Sequence, residues 1–310
     1  MRVIQPLPIT PVMLTSNVPE TDAPAWVAGS YALGARVIRD YHVFESLADA
    51  NTADPLADTT PAKWLDTGAD NRWKMFDKGA AQQVGATTVQ RQVFLIGTAT
   101  TNPTSIDLTI NPGAVVNAIA LFGLTGYRVT VTMTDPVEGI VYQRVFNLID
   151  PSASGMWEWL FKPADHKEAV TALDLPAYGT ASIRILIQAD AGGMARCSMA
   201  VLGVVTDIGE SVFGTGIGVT DFSRKEVDDF GNETVIERGF RDRVQYDVRI
   251  DTENVSFAKR FLTSLRAKPA VYIGDENREE TIIFGRYREL QIVLSNPSIS
   301  ECALDVGALI

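Results

Sequence analysis

Three carboxylates, Asp66, Asp70 and Asp77, stand around Trp64 and Trp73 in the stretch 63–77. A glycosidase needs two acids flanking a sugar that aromatic rings can hold, so this stretch is where residue types come nearest to catalysis. Their spacing is equally that of ordinary loop acids, which makes glycan hydrolysis the remotest function the sequence suggests. The two histidines, His42 and His166, have no Cys or second His at ligand spacing, and each reads as a surface or hairpin residue. Cys197 and Cys302 lie in apolar alternating segments and read as small buried hydrophobes without a disulfide. Gly214, Gly216 and Gly218 form a glycine-rich run. A strand pattern follows it and no Lys-Ser or Lys-Thr pair does, which argues against a phosphate loop. Asp49 and Asp54 have a spacing that could touch calcium, yet the central glycine and closing glutamate of an EF-hand loop are missing. No catalytic residue, metal site or cofactor is therefore expected, and the chain reads as a non-enzyme.

The elements that would position these residues are mostly strands. The 310 residues are 46% hydrophobic and 21% charged, which fits a globular protein with room for two or three domains. A formal net charge of −11 lacks the basic footprint of a nucleic-acid binder. No apolar run approaches a membrane span and no leader opens the sequence, so folding in the cytosol without membrane insertion is expected. Residues 1–24 carry proline every few positions and read as an extended proline-rich arm. Residues 25–90 read as a small aromatic-rich module and linker, with short strands at 36–39 and 42–46 flanking the Asp40-Tyr41 corner. Trp64 reads as the closing aromatic of that module, and Trp73 as the anchor that fixes it to the next domain.

From about residue 91 the texture becomes alternating. Val129, Val131 and Met133 fall on one face and Thr130, Thr132 and Thr134 on the other, and further strands are expected at 93–97, 105–110, 118–123, 157–161, 169–173, 182–188 and 197–205. Many short strands without an amphipathic helix predict a β-sandwich over 91–206. Beyond 207 charge of both signs is dense, with 13 Lys and Arg and 19 Asp and Glu in 207–310 against 6 and 9 in 92–206, which suits polar contacts with other proteins. A long charged hairpin over 217–243 leads to a helix at 255–267, which Asn254 caps and Pro269 ends, with Phe257, Phe261, Leu262 and Leu265 on one stripe. Strands at 270–274, 281–284, 287–294 and 302–306 complete a β-rich C-terminal domain with one packed helix.

Three resemblances add to this reading. Trp26, Gly29, Tyr31, Gly34, Val37, Tyr41, Val43, Phe44 and then Trp64 are similar to the pattern of small three-stranded chitin- and cellulose-binding modules. The likeness implies that Trp26, Tyr31, Tyr41 and Trp64 stack a sugar; the competing explanation is that such small modules need aromatics for their own cores. The run 116–124 resembles a core strand of jelly-roll, galactose-binding-like sandwiches. The run 71–77, the sandwich around 116–124, Asp221, Phe222, Ser223, Arg224, Lys225 and Glu226 leading to Phe230, and 265–274 together resemble a family of tail proteins from long-tailed bacteriophages, over most of the chain from Trp64 onward. That resemblance implies a virion structural protein of the tail tip or baseplate, present in several copies and without enzymatic activity. Its partners would be other tail or baseplate proteins (tube end, hub or fibres), copies of itself, and a host cell-surface glycan if the N-terminal aromatics are a receptor-binding site. Assembly would run through 207–310, and the hairpin with Asp221, Phe222, Arg224, Lys225, Glu226 and Phe230 would add strands to a neighbour.

Overall fold

A computed structural model describes residues 1–57, 63–83, 90–150, 156–157, 165–227 and 231–309. The chain is all-β and multidomain, with one packed helix in its C-terminal part. Its largest element is a ten-stranded antiparallel sheet. Across it run Ala169–Ala172, Ala118–Phe122, Met199–Asp207, Arg2–Pro6, Ala270–Ile273, Ile282–Val293, Ile299–Ala308 and Phe240–Asp251, and the last also pairs with Glu210–Ser211 and Gly216–Asp221 on its outer side.

One face of this sheet has two covers. Over Ala118–Phe122, Ala169–Ala172 and Met199–Asp207 lies a five-stranded sheet, in the order Gly139–Asn147, Arg128–Asp135, Ser182–Gln188, Ser105–Ile110 and Leu14–Ser16. Period-2 alternation turns Val129, Val131 and Met133 inward with Ile183, Ile185 and Ile187. They meet Ile119, Leu121 and Leu202 across the sandwich. Each such side chain contributes roughly 1.5–3 kcal/mol by leaving water. Over the far half of the same face lies helix α1 (Val255–Ser264), which buries Ala258 and Leu262 against Tyr246, Val248 and Tyr272. The helix stops three residues short of the expected 267. Leu265 already leaves helical geometry and Ala267 takes a positive φ of 62° before Pro269. Of the stripe expected to face inward, Leu262 and Leu265 are buried, Phe261 is half-buried, and Phe257 is exposed and stacked on Phe261. The two strands expected at 281–284 and 287–294 are one strand, Ile282–Val293, with an irregularity at Tyr287/Glu289.

The N-terminal residues correct the reading of an arm. Arg2–Pro6 is an interior strand, hydrogen-bonded in register to Met199–Asp207 on one side and to Ala270–Ile273 on the other. The prolines begin only at position 6, where pairing ends, so they do not interrupt the ladder. Ile4 faces one side and Val3 the other, both fully buried, as an interior strand with two covered faces requires. This strand also makes the boundary drawn at 207 fall inside a continuous sheet, which joins the sandwich to the C-terminal part.

The small module is a separate three-stranded sheet, Arg36–Arg39, His42–Ser46 and Trp64–Ala69. Asp40 and Tyr41 form its tight corner with φ of 50° and 58°. Both residues therefore sit in the left-handed region that a two-residue hairpin turn of matching twist demands. A hairpin Gly79–Gln83 with Gln90–Phe94 follows. The strand expected at 157–161 falls mostly outside the described residues.

Candidate functional sites

The stretch 63–77 folds as a strand followed by a compact turn. Trp64 begins the strand Trp64–Ala69. Asp70 opens the turn: its carbonyl accepts from the Trp73 amide at 2.8 Å, and its carboxylate, fully buried, accepts from the amide of Asp22 at 3.1 Å. Burial raises the Asp70 carboxyl above its ordinary pKa. Trp73 is buried, with Tyr41 at 4.8 Å and Phe76 at 6.0 Å between ring centres. Met75 enters the sandwich core, and its carbonyl accepts from the Ala200 amide at 2.8 Å. The turn thus ties the small module to the sandwich.

The four aromatics given to glycan binding do not form a platform. Trp64 is only 2% exposed and donates its indole N–H to the Ala53 carbonyl at 2.9 Å, so it offers no face to a sugar. Tyr31 packs edge-on against Trp64 at 5.4 Å, and its hydroxyl bonds both backbone groups of Val27. Tyr41 rests on Trp73. Trp26 carries the Arg39 guanidinium over its ring at 4.7 Å. A module this small builds its core from these rings.

Two of the three acids, Asp66 and Asp77, converge, while Asp70 stays apart on the Asp22 and Arg72 amides. His42 lies between Asp66 and Asp77: Nδ1 is 2.9 Å from Asp66 and Nε2 is 3.3 Å from Asp77. Burial alone would lower the imidazole pKa, but the hydrogen bonds and charges of the two carboxylates outweigh it and raise His42 from 6.5 to about 9. In return, the His42 hydrogen bond holds Asp77 below its ordinary pKa. His42 is therefore a hairpin residue, one of the two places the sequence suggested, but half-buried and ion-paired. It is an imidazolium at neutral pH that links Trp64–Ala69 to the end of the turn, and a protonated histidine of that pKa is a poor general base. Sequence spacing did not reveal it, because its two acids come from a neighbouring strand and a turn.

The other candidates take structural places. Asp49 accepts from the Leu33 amide and Asp54 pairs with Arg39 at 3.1 Å. No group of three potential metal ligands exists among the described residues. His166 is exposed and lies on the short strand Asp165–His166. Cys197 and Cys302 are free and buried, and burial pushes their thiols up to about 12 and about 11. Behind the turn lies a cleft of ≈ 330 Å³ walled by Leu7, Phe76, Phe94, Met199, Leu265 and Phe284. Lys78, at its edge, donates to the carbonyl and hydroxyl of Thr98 at 2.5 and 3.0 Å, and burial lowers its pKa to about 8.

The C-terminal hairpin is two ladders end to end. Gly216–Asp221 pairs with the outer half of Phe240–Asp251, and Arg224–Val227 pairs with Glu233–Ile236 beyond it. Cross-strand partners share a face. Ile217, Val219 and Asp221 thus lie with Phe240, Asp242 and Val244 on the front, and Gly216, Gly218 and Thr220 with Arg241, Arg243 and Gln245 on the back. The front extends the buried row of Tyr246 and Val244 past the reach of α1, and there Ile217, Val219 and Phe240 are 57%, 63% and 62% exposed. Local desolvation raises the Asp242 carboxyl, which has no partner among the described residues. On the back Arg243 is held by Asp305 at 2.7 and 2.9 Å, whereas Arg241 only lies over Phe222 at 5.6 Å and its Nε is buried without a partner. Of the residues given to assembly, Asp221 caps Ser223, Arg224 pairs with Glu226 and Lys225 with Glu233, and Phe222 is exposed. Phe230 lies outside the described residues.

Among the described residues no helix is long and apolar enough to cross a membrane. No protein-family model, curated protein or solved structure matches the chain.

Proposed function

We propose that the chain is a non-enzymatic structural subunit, a virion protein of a phage tail tip or baseplate, which docks on its neighbours through residues 207–310. The motif resemblance supplies the class, and one observation carries the docking surface. On the front of Gly216–Asp221 and Phe240–Asp251, Ile217, Val219 and Phe240 are exposed together, while Phe222 lies against Arg241 on the back and Val235 and Ile236 of the outer ladder face opposite sides. Beyond Arg243, where pairing with Ile299–Ala308 ends, only two strands remain; such a ribbon is marginal in water by itself, and an exposed apolar row marks a contact site. The outer edge of Gly216–Asp221 supports the same reading, since it carries neither lysine nor proline, which ordinarily blunt an edge strand. Its partners are other tail or baseplate proteins and further copies of itself, and the folded protein resides in the particle.

Deleting 217–243 and asking whether the shortened protein enters particles tests this. Exclusion is expected; normal tails that contain the shortened protein would overturn it. Glycan recognition through Trp26, Tyr31, Tyr41 and Trp64 draws no support from rings already engaged by Arg39, Trp73 and one another, and a cell-wall pull-down comparing the parent with Trp26→Ala is expected to show equal retention.

A further inference from the structure

Adjacent residues Arg241 and Asp242 point to opposite faces of the ribbon, and neither has an ion-pair partner among the described residues. On the front the acid sits with Ile217, Val219 and Phe240, an apolar row left uncovered. On the back Arg241 stands opposite Thr220, and the next back-facing position, Gly218 opposite Arg243, has nothing within 4 Å of a would-be Cβ. One face therefore projects apolar side chains around a carboxylate, and the other is recessed beside a cation.

We infer that the ribbon is a head-to-tail contact between copies of this chain, in which the front of one ribbon packs on the back of the next and Asp242 meets the neighbour's Arg241. The inference rests on the docking role proposed above and names its partner as a second copy. Two fronts set against each other would bring like charges together around Asp242, which disfavours a symmetric contact. Front on back pairs opposite charges and seats Ile217 and Val219 over the glycines. Such a contact is heterologous, so it repeats around a ring or along a filament instead of ending at a dimer.

Sedimentation velocity on the full chain tests this with four proteins: the parent, Asp242→Arg, Arg241→Asp, and the double variant carrying both changes. Parent mass is expected to rise with concentration beyond a dimer. Each single change places like charges at the contact and is expected to weaken self-association about tenfold or more. An equal mixture of the two single variants regains association, because each then offers the face that the other needs. The double variant, with both charges exchanged, also regains it alone. A parent that stays monomeric, single variants that assemble like the parent, or a double variant no better than the singles would each overturn the inference. Particle incorporation separates this failure from that of the docking role. If all charge variants enter particles while the 217–243 deletion is excluded, docking stands and the stacking of copies falls; if the deletion enters too, both fall.

Discussion

Replacing His42 by Gln isolates the clamp between the small module and the turn. The imidazole is raised from 6.5 to about 9, and each pKa unit corresponds to about 1.36 kcal/mol. The gross coupling is therefore on the order of 3 kcal/mol, and solvent screening at Asp77, whose side chain is 37% exposed, brings the expected contribution to roughly 2 kcal/mol. Its sign is fixed by linkage. Below pH 6.5 the histidine is protonated folded or unfolded, and the full stabilisation is present. Between 6.5 and about 9 the unfolded chain has lost the proton while the folded chain keeps it, so the contribution declines; above 9 it is gone. Lys78, lowered to about 8, acts oppositely, because its penalty is full below 8 and fades toward its ordinary value. The measurement is for that reason the difference between parent and His42→Gln, in which Lys78 cancels. Urea unfolding followed by tryptophan fluorescence at pH 6.0, 7.5 and 9.5, read at the transition of the small module, should show the parent's advantage shrinking by about 2 kcal/mol across the series. An unchanging difference, or a His42 resonance titrating near 6.5 by NMR, would refute the reasoning.

Two further outcomes concern the C-terminal core. Tyr272 is fully buried, and its hydroxyl makes no well-formed hydrogen bond among the described residues, only a weak approach to the Tyr287 backbone, whereas the Tyr246 hydroxyl donates toward the carbonyls of Thr281 at 2.8 Å and Tyr272 at 3.2 Å. Tyr272→Phe should be neutral or raise stability by about 1 kcal/mol and Tyr246→Phe should lower it by about 1–2 kcal/mol, a contrast visible in paired thermal melts. Leu262→Ala removes a fully buried helix residue from the same core; it should cost about 2–5 kcal/mol and lower the melting temperature, while Phe257→Ala on the exposed side of α1 should shift it much less.

Alternation made much of the sandwich legible: Ser105–Ile110 and Ser182–Gln188 lie where the period-2 pattern puts them, and Arg128–Asp135 buries the face that pattern selects. The corner at Asp40 and Tyr41 was legible as well, because two short β-patterns flank it. Long-range assembly hid the rest. Residues 2–6 have an interior strand's composition but are too short a run to show it beside so many prolines, and their partners lie near positions 203 and 272. Trp64 and Tyr31 were given to sugar stacking by their likeness to small sugar-binding modules, although in space they pack on each other. The His42 clamp depends on acids 24 and 35 positions away, a separation at which no motif spacing constrains the pairing. The division of Arg241 and Asp242 between two faces follows from strand alternation, but that both faces lie open does not.

The placement of Arg2–Pro6 bears on how the chain folds. Its flanking strands, Met199–Asp207 and Ala270–Ile273, cannot join through it until both have been synthesised, so the wide sheet closes late and over long loops. Loop-closure entropy grows only logarithmically with length, but contacts so distant in sequence slow folding. Until closure the edges of those two strands are open to mispairing with other chains. Short strand as it is, it works as a clasp: cutting between residues 6 and 14 in the native protein should leave it held by both neighbours, whereas a chain made without it should part into two separately melting halves.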